Sequence, residues 1–229
     1  MASVAEWIEG ARPRTLPAAI APVIAGLGVT GYTGTALTNG AIVRNGLLAL
    51  LVALALQIGV NYFNDYSDGV RGTDEVRVGP VRLVGQGLAP ARQVKTAALL
   101  SLGVAALAGL ALILLSGQWI LLPIGIAAVL SAYGYTGGAR PYGYLGLGEL
   151  FVFAFFGPVA VCGTTLVTGG AVWPVSAVVS VAIGLLTVDI LVANNLRDRE
   201  LDEQSGKHTL AVRLGDERTR RMFATANIL

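Results

Sequence analysis

An all-α, polytopic membrane helix bundle is the fold class this sequence predicts, and three observations carry that prediction. The mean hydropathy is +0.68, with 54% hydrophobic and only 13% charged residues, a balance far from that of soluble domains. Long apolar runs recur along the chain, each near the ~20 residues a helix needs to cross a bilayer. The charged residues gather between alternate runs rather than spreading evenly. A soluble all-α protein with greasy helices is a poor fit to so many full-length runs. Residues 1–229 read as one transmembrane domain.

Taken in order, the N-terminus has Glu6 and Glu9 ahead of Arg12 and reads as an interfacial amphipathic segment, with Trp7 and Ile8 as its buried edge. The first span, Thr15 to Tyr32, carries Pro17 and Pro22, which membrane helices tolerate where neighbours satisfy the freed carbonyls. Leu47 to Phe63, Thr96 to Leu115, Trp119 to Tyr135, Leu147 to Thr168 and Val172 to Asn194 follow. The 30 glycines suit close helix packing in lipid. Met222 to Leu229 read as the opening of a seventh span, so the chain is expected to be incomplete at its C-terminus.

Arg12 and Arg14, then Arg71, Arg77, Arg82, Arg92 and Lys95, then Arg140, and finally the cations from Arg197 to Arg221 all fall on one side of this topology, with only Arg44 opposite. The positive-inside rule therefore places the N-terminus and the loops after spans two, four and six in the cytoplasm of a multi-pass cell-membrane protein. Acidic residues outside the spans lie on that side too, so the net charge of +2 is a one-sided polar face and not a nucleic-acid footprint. Cys162 is the single cysteine and His208 the single histidine, which argues against disulfides and against thiolate or imidazole metal sites.

Two polar clusters break the apolar pattern. Asn61, Asn64, Asp65 and Asp68 share one face if the second helix continues that far, because i, i+3, i+4 and i+7 align. Asn194, Asp198 and Asp202, at i, i+4 and i+8, stack at the end of the sixth span, next to Asn195. Asp189 lies deeper, as a pocket group or a helix-helix hydrogen-bonding partner. Crowded carboxylates repel unless a cation sits between them. Without Cys or His ligands the fitting cation is hard, and Mg²⁺ is the leading candidate. Arg71, Arg82, Arg140, Lys207 and Arg213 add positive charge on the same side, which makes a diphosphate the natural guest. A diphosphate beside a greasy cavity suits ionisation of an allylic prenyl diphosphate, with Tyr62, Tyr66 or Tyr135 offering π faces to the cation.

At these residues the sequence resembles the UbiA superfamily of intramembrane prenyltransferases. Asn64-Asp-x-x-Asp68 with Asp74, and Asp198-x-x-x-Asp202 with Lys207-x-Thr209, look like its two aspartate-rich motifs. Ala11-Arg-Pro-Arg-Thr-Leu-Pro17, Asn64-Asp-Tyr-Ser-Asp-Gly-Val-Arg-Gly-Thr-Asp74, Arg77-Val-Gly-Pro80 and Asn194-Asn-Leu-Arg-Asp198 are similar to the members that prenylate 1,4-dihydroxy-2-naphthoate in menaquinone biosynthesis. The resemblance runs from about Trp7 to Gly215. It implies a nine-helix fold, of which six to seven helices fall in this chain, with a central cavity closed by the loops carrying both motifs. It also implies that Asn64, Asp65, Asp68, Asp198 and Asp202 hold Mg²⁺, that Lys207 and Arg140 lie near the diphosphate oxygens, and that the polyprenyl group passes to the naphthoate ring with loss of its carboxylate. Asn61, Arg71, Asp74, Arg82, Tyr135, Asn194 and Asn195 complete the expected substrate-binding set. Asp74 stands in for the motif's last acid, where many relatives have an acid at the position of Gly72. The connection beyond Asp68 is expected to act as a lid.

Blander readings stand beside these. The acid pairs would otherwise be solvated helix ends, which is costly at a membrane edge. Arg71, Arg77 and Arg82 would simply obey the positive-inside rule, and the tyrosines would be interfacial anchors. A divalent-cation transporter is the competing class, but it predicts acids distributed through the membrane or at an external mouth; the external side of this chain has none, and cations accompany the acids on the inner side. A UbiA-type enzyme for another acceptor, such as 4-hydroxybenzoate or homogentisate, is the nearer alternative.

Overall fold

The computed structural model describes residues 2–72, 81–138 and 141–226, and among these the regular structure is entirely helical. Asp74, Arg77 and Arg140 lie outside the described residues.

A short helix α1 (Val4–Gly10) opens the fold, held by a reciprocal cap in which Ser3 Oγ accepts from the Glu6 amide and the Glu6 carboxylate accepts from the Ser3 amide. Arg12 then turns the chain through a left-handed conformation (φ 55°) into a 3₁₀ turn, Pro13–Thr15. Trp7 packs edge-on against Tyr62 with ring centroids 5.6 Å apart. Ile8 is exposed, so of the expected buried edge only Trp7 turns into the bundle.

The apolar runs fold as α2 (Leu16–Tyr32), α3 (Gly40–Val70), α4 (Ala91–Ser116), α5 (Leu121–Gly134), α6 (Gly148–Gly169) and α7 (Pro174–Gln204). Five stretches are long and apolar enough to cross a membrane, the first of them joining α1 to α2, whereas α5 has only 14 residues. The middle of α6, Phe155–Cys162 around Pro158, is wound as a π-helix, as expected where a proline breaks the i→i−4 ladder.

α3 and α7 each run for 31 residues, about 46 Å at 1.5 Å per residue, well beyond the ~30 Å of a hydrocarbon core. Asn39 caps the start of α3 through its side chain, which accepts from the Ala41 amide. No proline interrupts the helix before its end. Both acidic clusters therefore sit on continuous helices, as their spacing predicts, with Lys207 on the connection just beyond α7. Helical spacing alone then brings their side chains onto defined faces.

Close approach explains the glycines that matter most. A Cβ on Gly157 would lie 2.5 Å from the Ser180 carbonyl oxygen, and one on Gly26 would lie 2.7 Å from the Thr164 side chain. These positions let α6 pack against α7 and α2 at backbone distance. At the end of the bundle away from the clusters, Thr30 and Thr168 hydroxyls meet at 2.8 Å and Asn45 donates to the Val167 carbonyl at 2.7 Å. At the cluster end, Tyr62, Phe63, Leu83, Ala89, Val94 and Ala98 form a buried core between α3, α4 and their connection.

The last helix, α8 (Leu210–Ala226), is kinked at Gly215 (φ 76°) and charged from Asp216 to Arg221, with Asp216–Arg220 and Glu217–Arg221 pairs one turn apart. Of the expected seventh-span opening, Met222 to Ala226 continue this helix, and residues 227–229 lie outside the described residues.

Candidate active site

The first cluster divides its residues between two tasks because successive positions on α3 face different neighbours. Asn61 is buried and donates to the Ala11 carbonyl at 2.8 Å and the Thr15 hydroxyl at 2.9 Å. Its amide ties α3 to the entry of α2. Asn64 Oδ1 accepts from the Thr136 hydroxyl at 2.8 Å.

Asp65 is 1% exposed, and both of its carboxylate oxygens are engaged: Oδ2 by the Leu83 amide at 2.7 Å and Oδ1 by the Val84 amide at 3.1 Å. The segment it holds, Val81–Pro90, is folded on itself, with the Ala89 amide on the Leu83 carbonyl at 2.9 Å. Leu83 is fully buried. This half of the expected lid is a packed wall, since burying apolar Leu83 fixes it against α3. Arg82, on the same segment, is buried as well.

Asp68 is where the two clusters meet. Its Oδ1 accepts from the Tyr144 hydroxyl at 2.6 Å, and its Oδ2 accepts from Lys207 Nζ at 2.8 Å. Both charged groups are buried. Lys207 reaches across because the chain turns sharply after α7: its own amide donates to the Asp202 carbonyl at 2.8 Å, and the next amide, of His208, donates to the Tyr144 carbonyl at 3.1 Å. The Tyr144 ring lies under two cations, with Lys207 Nζ 4.8 Å and the Arg71 guanidinium 5.0 Å from its centroid. Burial and the neighbouring Asp68 charge push the Tyr144 phenol above its ordinary range, so it remains a donor at neutral pH.

Arg71 also fastens α3 to the segment after α5, donating to the Ser67 hydroxyl and to the Thr136 and Gly138 carbonyls at 2.8–3.0 Å. On α7, Asp198 and Asp202 are buried, and Asp198 takes a two-pronged contact from Arg197 at 2.8 Å for each oxygen. Asn194 is half-buried one turn earlier. Asn195 donates to Glu149 Oε1 at 2.9 Å, and Asp189 is buried deeper in α7.

Beside the clamp runs an aromatic row. Tyr135 meets Tyr142 edge-on at 5.5 Å, Tyr142 stacks on Phe151 at 4.0 Å, and Phe151 faces Phe155 at 6.2 Å. Tyr135 thus belongs to a π surface leading along α6.

Tyr144, Thr136 and Glu149 were not in the expected set. The sequence shows Tyr144 only as one of several phenols around Arg140, and nothing in its spacing points to Asp68. The polar groups facing the clamp are oxygen donors and cations, which suits a hard divalent ion. Among the described residues, no three acidic, histidine or cysteine side chains are grouped closely enough to hold a metal alone.

Helices overrunning the bilayer thickness, with two acid clusters and interleaved cations gathered at one end, define an intramembrane helix bundle with a buried, charged site at that end. The chain belongs to the UbiA prenyltransferase family, whose pattern it matches over residues 19–229. It is 56% identical over 223 residues to the 1,4-dihydroxy-2-naphthoate octaprenyltransferase of Mycobacterium tuberculosis, covering 97% of this chain and 74% of that one. The Escherichia coli enzyme of the same name is 38% identical, over 95% of this chain and 71% of that one. A UbiA homologue from Archaeoglobus fulgidus, solved with DMAPP and Mg²⁺, superposes with a TM-score of 0.71 at 18% identity, covering 97% of this chain and 74% of that structure. That likeness bears out the all-helical UbiA fold.

Proposed function

We propose that this chain transfers a polyprenyl group from an allylic polyprenyl diphosphate to 1,4-dihydroxy-2-naphthoate, from the cytoplasmic face of the cell membrane. The observation that carries the site assignment is the meeting of Asp68 on α3, Lys207 after α7 and Tyr144 between α5 and α6 in one buried cluster. The substrate assignment rests on relatives named for the naphthoate and octaprenyl groups.

Bound Mg²⁺ would neutralise the diphosphate and help it depart; Asn64, Asp68, Asp198 and Asp202 are the residues that would hold it. Lys207 supplies a compact cation to the leaving oxygens. Arg71 and Arg82 contribute positive charge around the same end, and Asn194 lines the same face of α7. Asp74 and Arg140 complete the proposed set from sequence alone. Tyr144 orients the Asp68 carboxylate through its 2.6 Å hydrogen bond. The apolar helices exclude water while the allylic C–O bond breaks, and the Tyr135–Phe155 row offers π faces to the cation that forms.

The ring carbon bearing the carboxylate then forms the new C–C bond. The electron pair of the C–CO₂⁻ bond restores aromaticity as CO₂ leaves, giving demethylmenaquinol and diphosphate. Product mass spectrometry with 1,4-dihydroxy-2-naphthoate, 4-hydroxybenzoate and homogentisate as separate acceptors tests this. A decarboxylated prenyl product from the naphthoate alone is expected. Prenylation of only another acceptor would overturn the assignment.

A further inference from the structure

We infer that Asp65 is a positioning residue that pins the Val81–Pro90 segment against α3, and that it does not ligate the metal its motif neighbours would hold. The geometry leaves little choice. Each carboxylate oxygen accepts a backbone amide, from Leu83 and Val84, and the side chain is 1% exposed. Each oxygen keeps a second lone pair, but with both oxygens turned onto the Leu83 and Val84 amides and the side chain 1% exposed, swinging the carboxylate toward a cation beside Asp68 would break both bonds and leave two amides without partners.

The surroundings reinforce the bond. A Cβ on Gly69 would lie 2.5 Å from Val84, and one on Gly10 would lie 2.8 Å from Leu83. Helix α3, the segment and α1 therefore meet at backbone distance around this carboxylate. Tyr62, one turn from Asp65, closes the corner by donating to the Trp7 carbonyl at 2.8 Å. The helical register accounts for the division: Asp65 and Asp68 differ by three residues, yet Asp68 meets Lys207 and Tyr144 while Asp65 meets the wall. One consequence is that Arg82, immediately before the anchored pair, is held in place by Asp65 without touching it through its side chain.

The anchoring stands on the geometry, while the denial of a ligand role rests on the proposed function. The test uses the detergent-purified chain in four forms: wild type, Asp65→Asn, Leu83→Ala and Asp68→Asn. Tryptic cleavage at Arg82–Leu83 is followed by mass spectrometry, and Mg²⁺ affinity is measured calorimetrically in the presence of inorganic diphosphate. Asp65→Asn sets an amide donor against a backbone donor, and Leu83→Ala loosens the wall without changing any charge. Both are expected to raise cleavage by about tenfold, because cleavage tracks the open population, and to keep Mg²⁺ affinity within about twofold of wild type. Asp68→Asn is expected to lose about tenfold or more in Mg²⁺ affinity. The inference is overturned if Asp65→Asn leaves the Arg82–Leu83 bond as protected as in wild type. It is equally overturned if Asp65→Asn loses Mg²⁺ affinity as Asp68→Asn does while Leu83→Ala retains it. Unchanged affinity in Asp68→Asn would instead contradict the proposed metal site and leave the anchoring result to be judged by cleavage.

Discussion

Lys207, on the connection after α7, donates to Oδ2 of Asp68 on α3 at 2.8 Å, with both side chains buried. This one contact joins two motifs separated by 139 residues. It places a cation over the Tyr144 ring and a carboxylate at that ring's hydroxyl. Removing one partner of such a buried pair strands the other charge, at a typical cost of about 3–5 kcal/mol.

Lys207→Ala is therefore expected to lower kcat/KM for diphosphate release by about 10²–10³. Lys207→Arg keeps the charge but not the compact geometry, and should recover only part of that loss. Steady-state release of diphosphate in membranes measures both, with immunoblotting to confirm equal expression.

Tyr144→Phe removes a single hydroxyl from Asp68 and keeps the ring beneath Lys207 and Arg71. The expected effect is smaller, about tenfold, and should appear mainly as a higher Mg²⁺ requirement with little change in thermal stability. A Mg²⁺ titration of initial rates, paired with thermal unfolding in detergent, separates these readouts.

Gly157→Leu places side-chain atoms where the Ser180 carbonyl lies 2.5 Å from an ideal Cβ. Overpacking at this contact between α6 and α7 is expected to destabilise the bundle by about 1–3 kcal/mol or more. A lower unfolding temperature in detergent is the signature. Gly28→Leu makes the control, because a Cβ there meets nothing within 4 Å.

Chelation supplies a fourth expectation. EDTA should abolish diphosphate release, and added Mg²⁺ should restore it fully, because the carboxylates are carried on the continuous helices α3 and α7, whose own packing positions them. Incomplete recovery of rate at saturating Mg²⁺ would argue that the ion is structural.

The helical fold was legible because five of the runs are apolar over the full bilayer length, a signal that tertiary packing cannot reverse. The shared site was partly legible: the i, i+4 spacing of Asn64 and Asp68, and of Asp198 and Asp202, marks faces of helices whatever they pack against. Which face a residue meets is set by neighbours distant in sequence. Spacing therefore grouped Asn61 and Asp65 with Asp68, whereas the fold turns Asn61 to Ala11 and Thr15 and Asp65 to Leu83 and Val84. Tyr144 was hidden for the same reason, since its partner lies 76 positions away. The Val81–Pro90 segment read as a lid from its length and glycines, yet buried Leu83 and the Asp65 anchor make it a wall.

The central claim is that carboxylates from α3 and α7 act together to release diphosphate from a polyprenyl diphosphate. Its most direct measurement is Mg²⁺-dependent diphosphate release from an allylic polyprenyl diphosphate in membranes containing wild type, Asp68→Asn or Asp198→Asn. Release in wild type, falling by about 10²-fold or more in each variant, is the predicted result. Equal release from all three, or release from wild type that is indifferent to Mg²⁺, would contradict it.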